Sequence, residues 1–137
     1  MKNFKNKVAA ITGAGSGIGQ QLAVLLAKQG CHLSLSDVNE QGLATTLELI
    51  KDSNVRVTTK KVNVAKLDEV RAWAQDTVQN HGSVNMIFNN AGVALGSTVE
   101  GASYEELEWI VDINFWGVVY GTKEFLPLIK KTGDGHI

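Results

Sequence analysis

The chain has 137 residues, 44% of them hydrophobic and 20% charged, enough to bury the core of one modest domain and not of two. Thirteen basic against 14 acidic residues give a formal net charge of -1. That balance argues against nucleic acid or an anionic membrane as partner, since both need a concentrated basic face.

Residues 8–11 are a short apolar run that leads into glycines, as a buried strand would. Residues 18–29 follow with Ile18, Leu22, Leu25 and Leu26 at helical spacing, and Gly30 stops them. Residues 33–37 alternate Leu and Ser and read as a second strand. Residues 39–51 carry Leu43, Leu47 and Ile50 on one helical face, and residues 55–64 are β-branched and strand-like. A third helix is predicted over 67–80 from Leu67, Val70, Ala74 and Val78, and a fourth strand over 84–88. Residues 103–131 form one long helical stretch with Pro127 as a point of disturbance. Gly133-Asp134-Gly135 is a turn, and His136-Ile137 would open a fifth strand.

Strict alternation of strand and helix predicts an α/β fold: a Rossmann-like, doubly wound parallel sheet with right-handed crossovers. Residues 1–137 make one domain in this reading. The sheet is expected to be incomplete, with four strands plus the start of a fifth, as if cut. The edge beside Val84, Met86 and Phe88 is then expected to expose apolar surface and drive self-association into a homo-oligomer. The lone cysteine, Cys31, rules out an internal disulfide and fits a reducing cytoplasm. No secretory leader is visible: residues 1–7 are polar, and the apolar run after them is too short for a signal core or a membrane span. His32, His81 and His136 have no metal-ligand spacing, so no metal is expected.

The most informative segment is Thr12-Gly13-Ala14-Gly15-Ser16-Gly17-Ile18-Gly19, set between a strand and a helix. Glycines open backbone angles closed to other residues and let the main chain approach a ligand. The helix end behind them offers free N–H groups and partial positive charge to a pyrophosphate. A tight turn without ligand is the bland alternative; the strand–turn–helix context favours phosphate. Asp37, at the end of the second strand, sits close to the spacing at which an acid meets the adenosine ribose. Its carboxylate would repel the extra phosphate of NADP, so NAD is the expected cofactor. Asp37 and Glu40 also spell the D-x-x-E of a helix-capping box, and both roles can coexist.

The glycine spacing G-x-x-x-G-x-G with Thr12 before it, Asn89-Asn90-Ala91-Gly92 after the fourth strand, and Asn114 further on resemble the classical short-chain dehydrogenase/reductase family over essentially the whole chain. The resemblance implies hydride transfer between a nicotinamide and a small-molecule alcohol or carbonyl substrate. It assigns cofactor contacts to Gly13, Gly15, Ser16, Gly17, Ile18, Gly19, Asp37, Asn63, Val64, Asn90, Ala91 and Gly92. NADP users in the family usually carry a basic residue after the acid or in the glycine turn; Val38 and Ser16 stand there. Asn63-Val64 departs from the usual Asp-Val pair at the adenine, although an amide oxygen still accepts a hydrogen bond. Asn114 is implied as a catalytic residue that loosens its helix so that a water can link its main chain to the catalytic lysine. Trp109, Phe115, Trp116 and Phe125 read as core or subunit contact, since this helix lines the family's dimer interface. The loop over 93–101 is expected to border the substrate.

The family's tyrosine, with a lysine four residues later that lowers its pKa, is not found. Tyr104 is followed four places on by Glu108 and Tyr120 by Glu124, Lys123 is one place too early, and no serine follows Ser103. These 137 residues are therefore expected to bind cofactor and to be inactive by themselves. A non-catalytic NAD-binding or regulatory module is the competing reading.

Overall fold

The computed structural model describes residues 3–137. In chain order the elements are β1 (Val8–Thr12), α1 (Gly17–Lys28), β2 (His32–Asp37), α2 (Glu40–Ile50), β3 (Val57–Lys61), α3 (Leu67–His81), β4 (Met86–Phe88), α4 (Tyr104–Val111) and α5 (Gly117–Lys130), with a π-helical turn, Asp112–Trp116, between the last two. The four strands form one parallel sheet in the order β3-β2-β1-β4. The chain thus builds outward from β1 on one side, then crosses to the other side for β4. Such reversals open a crevice beyond the carboxyl ends of the central strands.

The alternation of side chains along β1 explains the two-layer core. Ala9 and Ile11 join Leu33 and Leu35 of β2 beneath α1 and α2. Val8 and Ala10 face the opposite way, toward Val70, Trp73, Phe125 and Ile129 of α3 and α5. The Leu-Ser alternation of β2 would suit a strand with one wet face, yet Ser34 and Ser36 are 2% and 1% exposed. Ser34 is tolerated there because Trp73 Nε1 donates to its hydroxyl at 2.9 Å and Thr77 shares a hydrogen bond with it at 2.7 Å. Ser36 donates to the Ile11 carbonyl. Phe125 packs edge-on against Trp73, ring centroids 4.8 Å apart.

Three elements differ from the sequence expectation. β3 spans five residues rather than ten because it is the sheet edge: it is half exposed and ends in Lys60 and Lys61, which pair with Asp76 and Glu40. The predicted long helix is divided by the π turn, while Pro127 lies inside α5 without ending it, flanked by the buried anchors Phe125 and Ile129. The expected fifth strand is a single parallel bridge from Met86 to His136. That bridge helps to correct the expectation of bare apolar surface at β4, since Val84 and Met86 are buried. Exposed apolar area lies instead along α4 and the π turn, at Trp109, Val111, Phe115 and Trp116; of the four aromatic residues considered above, only Phe125 is core.

At the end of the sheet away from the glycine turn, His81 Nε2 meets Thr58 Oγ1 at 2.9 Å, and its buried Nδ1 has no partner among the described residues. Burial, then the nearby Arg56 and His32, push its pKa from 6.5 down to about 4. A histidine held neutral in the fold takes up its proton more readily when unfolded. Its stabilising contribution is thus complete above about pH 6.5 and is lost as pH falls toward 4. We expect chemical denaturation midpoints to decline across that window, and His81→Gln to flatten the decline.

Candidate functional site

The crevice at the carboxyl ends of the strands holds a cleft of about 380 Å³, lined by Gly13, Ser16, Gly17, Ile18, Asp37, Val38, Val62, Asn63, Val64, Asn90, Ala91, Gly92, Val93 and Ile113. Of the cofactor-contact residues expected from sequence, all line it except Gly15 and Gly19. Those two act behind the surface.

β1 delivers the chain into the glycine turn, and backbone geometry there demands glycine. Gly13 has φ +66°, and a Cβ on it would stand 2.9 Å from the Ala91 Cα. A Cβ at Gly19 would lie 2.2 Å from the Gly13 carbonyl oxygen, so the first turn of α1 packs directly on the loop. The loop carbonyls are tied from below: Thr46 Oγ1 donates to Ala14 O at 2.8 Å, and Gln20 Nε2 reaches Gly15 O. Ser16 caps α1 without a side-chain hydrogen bond, and the first turn carries no acidic residue. The amino end of α1 therefore presents its N–H groups and partial positive charge to the cleft with no side-chain cap and no acid in its first turn.

Asp37 ends β2 beside this loop. Its Oδ2 accepts from Gly15 N at 2.8 Å and its Oδ1 from Asn39 N at 2.9 Å. Each carboxylate oxygen retains a further lone pair, so the group can still accept two hydrogen bonds from a vicinal diol. The suggested Asp37–Glu40 capping box is not formed. Asn39 caps α2 by accepting from Gly42 N, and Glu40 turns to Lys61 at 3.2 Å. Two residues separate Asp37 from the helix start, which places its carboxylate on the glycine loop instead.

The opposite wall rests on Thr12. Thr12 is buried, and its hydroxyl accepts from Asn90 N and from Ala91 N, each at 2.9 Å, and donates to Phe88 O. Asn90 Nδ2 returns a hydrogen bond to Thr12 O at 3.0 Å. Asn89 points the other way, under α5, where a Cβ on Gly121 would sit 2.0 Å from its Oδ1. Sequence inspection noted Thr12 only as the residue before the glycines. A hydroxyl at a strand end facing an Asn-Asn-Ala-Gly turn was the signal available for it.

Between these walls, Val62 and Val64 are buried and hold Asn63 at the rim. Asn63 N donates to Glu69 Oε2 at 2.7 Å, which lowers the Glu69 pKa. Asn114 does not line the cleft. Its amide clamps Val93, accepting from Val93 N at 2.9 Å and donating to Val93 O at 2.8 Å. It lies within the π turn, whose wider winding loosens the main-chain ladder of the helix. Ile113, not singled out from the sequence, and Val93, the first residue of the loop expected to border the substrate, line the cleft nearby. Among the described residues, no group of three or more His, Cys, Asp or Glu is placed to hold a metal ion, and no helix is long and apolar enough to cross a membrane.

Removing the Thr12 hydroxyl would leave the Ala91 N–H without its acceptor. Thr12→Val is expected to cost about 1–3 kcal/mol of folding stability, read from urea denaturation, and Thr12→Ser to restore most of it.

The family model described as short chain dehydrogenase matches residues 7–137. SadH of Mycobacterium tuberculosis is 44% identical over 137 residues, which is all of this chain and 50% of SadH. A short-chain dehydrogenase/reductase from Burkholderia phymatum, solved in complex with NAD, superposes with a TM-score of 0.93 at 34% identity, over 98% of this chain and 48% of that one. An alcohol dehydrogenase from the archaeon Thermococcus sibiricus, complexed with 5-hydroxy-NADP, gives a TM-score of 0.89 at 32% identity, over 95% and 56% of the two chains. The chain spans about half the length of the curated relatives it matches. It belongs to the short-chain dehydrogenase family.

Proposed function

We propose that the cleft binds NAD in preference to NADP, and that the protein transfers hydride between the nicotinamide and a small alcohol or carbonyl compound in a reducing cytoplasm. The observation that carries the cofactor reading is the pairing of Asp37 with the glycine loop. One side chain fixes the phosphate-binding backbone through Gly15 N and keeps free lone pairs at the ribose end of the same cleft. The uncapped end of α1 fits a pyrophosphate, and a carboxylate beside the ribose disfavours a 2′-phosphate by like-charge repulsion. Bound there, the nicotinamide supplies or accepts the hydride. The chain's own residues bind, orient and exclude water: Asp37 at the ribose, Ala91 and Gly92 along the wall, and Asn114 through its hold on Val93.

The 137 residues by themselves are proposed to bind NAD without turnover, because neither Tyr104 nor Tyr120 has a lysine four residues on to lower its pKa. The same fact keeps alive the alternative of a binding module without chemistry. The exposed aromatic stretch on α4 and the π turn, with Phe115 and Trp116 in edge contact, supports self-association through that face.

Calorimetric titration should show NAD binding at least about tenfold tighter than NADP. Asp37→Ala should weaken NAD by a similar factor and narrow the gap between the two. Tighter binding of NADP by the parent chain would overturn the cofactor reading. Light scattering is expected to report a dimer or larger species, and Trp116→Lys to shift it toward monomer; a clean parent monomer at high concentration would refute the association.

A further inference from the structure

We infer that Thr46 and Gln20 are positioning residues for phosphate recognition: from behind the glycine loop they hold its carbonyls toward α2, and so keep the Ser16 N–H turned to the cleft. The inference rests on the dinucleotide reading above and concerns only the phosphate end of the cleft. Thr46 is fully buried within α2. A threonine inside a helix ordinarily bonds back to the carbonyl four residues earlier. Here that contact, to Gly42 O, is 3.1 Å, and the contact across to Ala14 O is shorter, at 2.8 Å. The single hydroxyl proton of Thr46 is therefore best placed on the loop. Gln20 Nε2 donates to Thr46 Oγ1 at 3.0 Å and stands 3.4 Å from Gly15 O. Since a carbonyl can only accept, the NH2 of Gln20 and not its oxygen faces Gly15. A Cβ on Gly42 would lie 2.6 Å from Gly15 O, so α2 runs hard against the same carbonyl.

Two consecutive peptide planes are set in this way. The plane between residues 14 and 15 is held at both ends, by Thr46 on its carbonyl and by Asp37 Oδ2 on its N–H at 2.8 Å. The plane between residues 15 and 16 carries Gly15 O on the side of Gln20 and Gly42. The peptide bonds are trans, so the Ser16 N–H points opposite to that carbonyl. Ser16 lines the cleft, whereas Gln20, Gly42 and Thr46 do not. Ser16 N donates to no acceptor among the described residues. Glycine at position 15 would let this plane flip at little steric cost, and the contacts from Gln20 and α2 are what oppose the flip. A flipped plane would offer a phosphate the negative end of a carbonyl in place of a donor.

The test is calorimetric titration with NAD of the parent chain, Thr46→Val, Thr46→Ser and Gln20→Met, joined to amide NMR at saturating NAD, with thermal melting as a check on folding. In the parent, NAD should draw the Ser16 amide proton downfield, as a charge-assisted hydrogen bond does. It should also shift the amide of Val38, which lines the cleft beside Asp37. Thr46→Val should weaken NAD about tenfold and Gln20→Met about threefold, each with a smaller Ser16 shift and an unaltered Val38 shift at saturation. Thr46→Ser keeps the hydroxyl and should restore both the affinity and the Ser16 shift. An unmoved Ser16 amide in the NAD-bound parent overturns the inference, and so do folded variants that keep the parent's Ser16 shift. Equal loss at Ser16 and Val38 would mark a general loosening of the site and overturns it too. If Thr46→Val does not fold, Gln20→Met decides, since that side chain is only half-buried. A parent that does not bind NAD overturns the dinucleotide reading and this inference together, an outcome distinct from an indifferent Ser16.

Discussion

The site depends on hydrogen bonds that tie strand ends to turns far away in sequence, and the Thr12 hydroxyl is the chief of them. It sits where β1 ends and receives two backbone N–H groups from residues 90 and 91, 78 and 79 positions later. Those bonds set the gap between the glycine loop and the opposing turn. Asn90 closes the same gap from the other direction by donating to Thr12 and Gly13 carbonyls. Because the groups are buried or half-buried, loss of an acceptor carries the desolvation cost of an orphaned N–H as well as the lost bond. The cleft is thus part of the fold's polar accounting, and its shape is not free to drift.

A second tie runs between β2 and the glycine loop through Asp37. This carboxylate has a structural duty and a vacancy at once: two backbone donors satisfied, and lone pairs remaining toward the cleft. The arrangement uses one side chain to fix the distance between the carboxylate, proposed to meet a ribose diol, and the glycine loop, proposed to meet a pyrophosphate. It also separates the tasks of the glycines. Gly13 and Gly17 shape the surface, whereas Gly15 and Gly19 let Asp37 and α1 pack close behind it.

The third device is the π turn. Asn114 lies within it, and its amide secures both polar groups of Val93, the residue that leads out of the Asn-Asn-Ala-Gly turn into the loop expected to border the substrate. A regular helix through 104–130 would have presented a different face after Asp112, since each π turn adds one residue to the winding. The turn therefore couples the position of the cleft wall to the aromatic residues that α4 and the turn expose on the outside.

Local signals settled a great deal in advance. The alternation of apolar runs identified the parallel α/β class, because 2-residue and 3.6-residue periodicities are properties of the chain alone. The glycine pattern between a strand and a helix, with Asp37 a strand later, marked the cleft for the same reason. Only the tertiary structure decided what depends on partners distant in sequence. The D-x-x-E at Asp37 reads as a cap until β1 brings Gly15 beside it; Leu-Ser alternation reads as half wet until α3 supplies Trp73 and Thr77 to the serines. The π winding, the burial of Val84 and Met86, and the engagement of the Asn63 oxygen by Ala65 are likewise consequences of packing and of backbone paths, which no window of sequence contains.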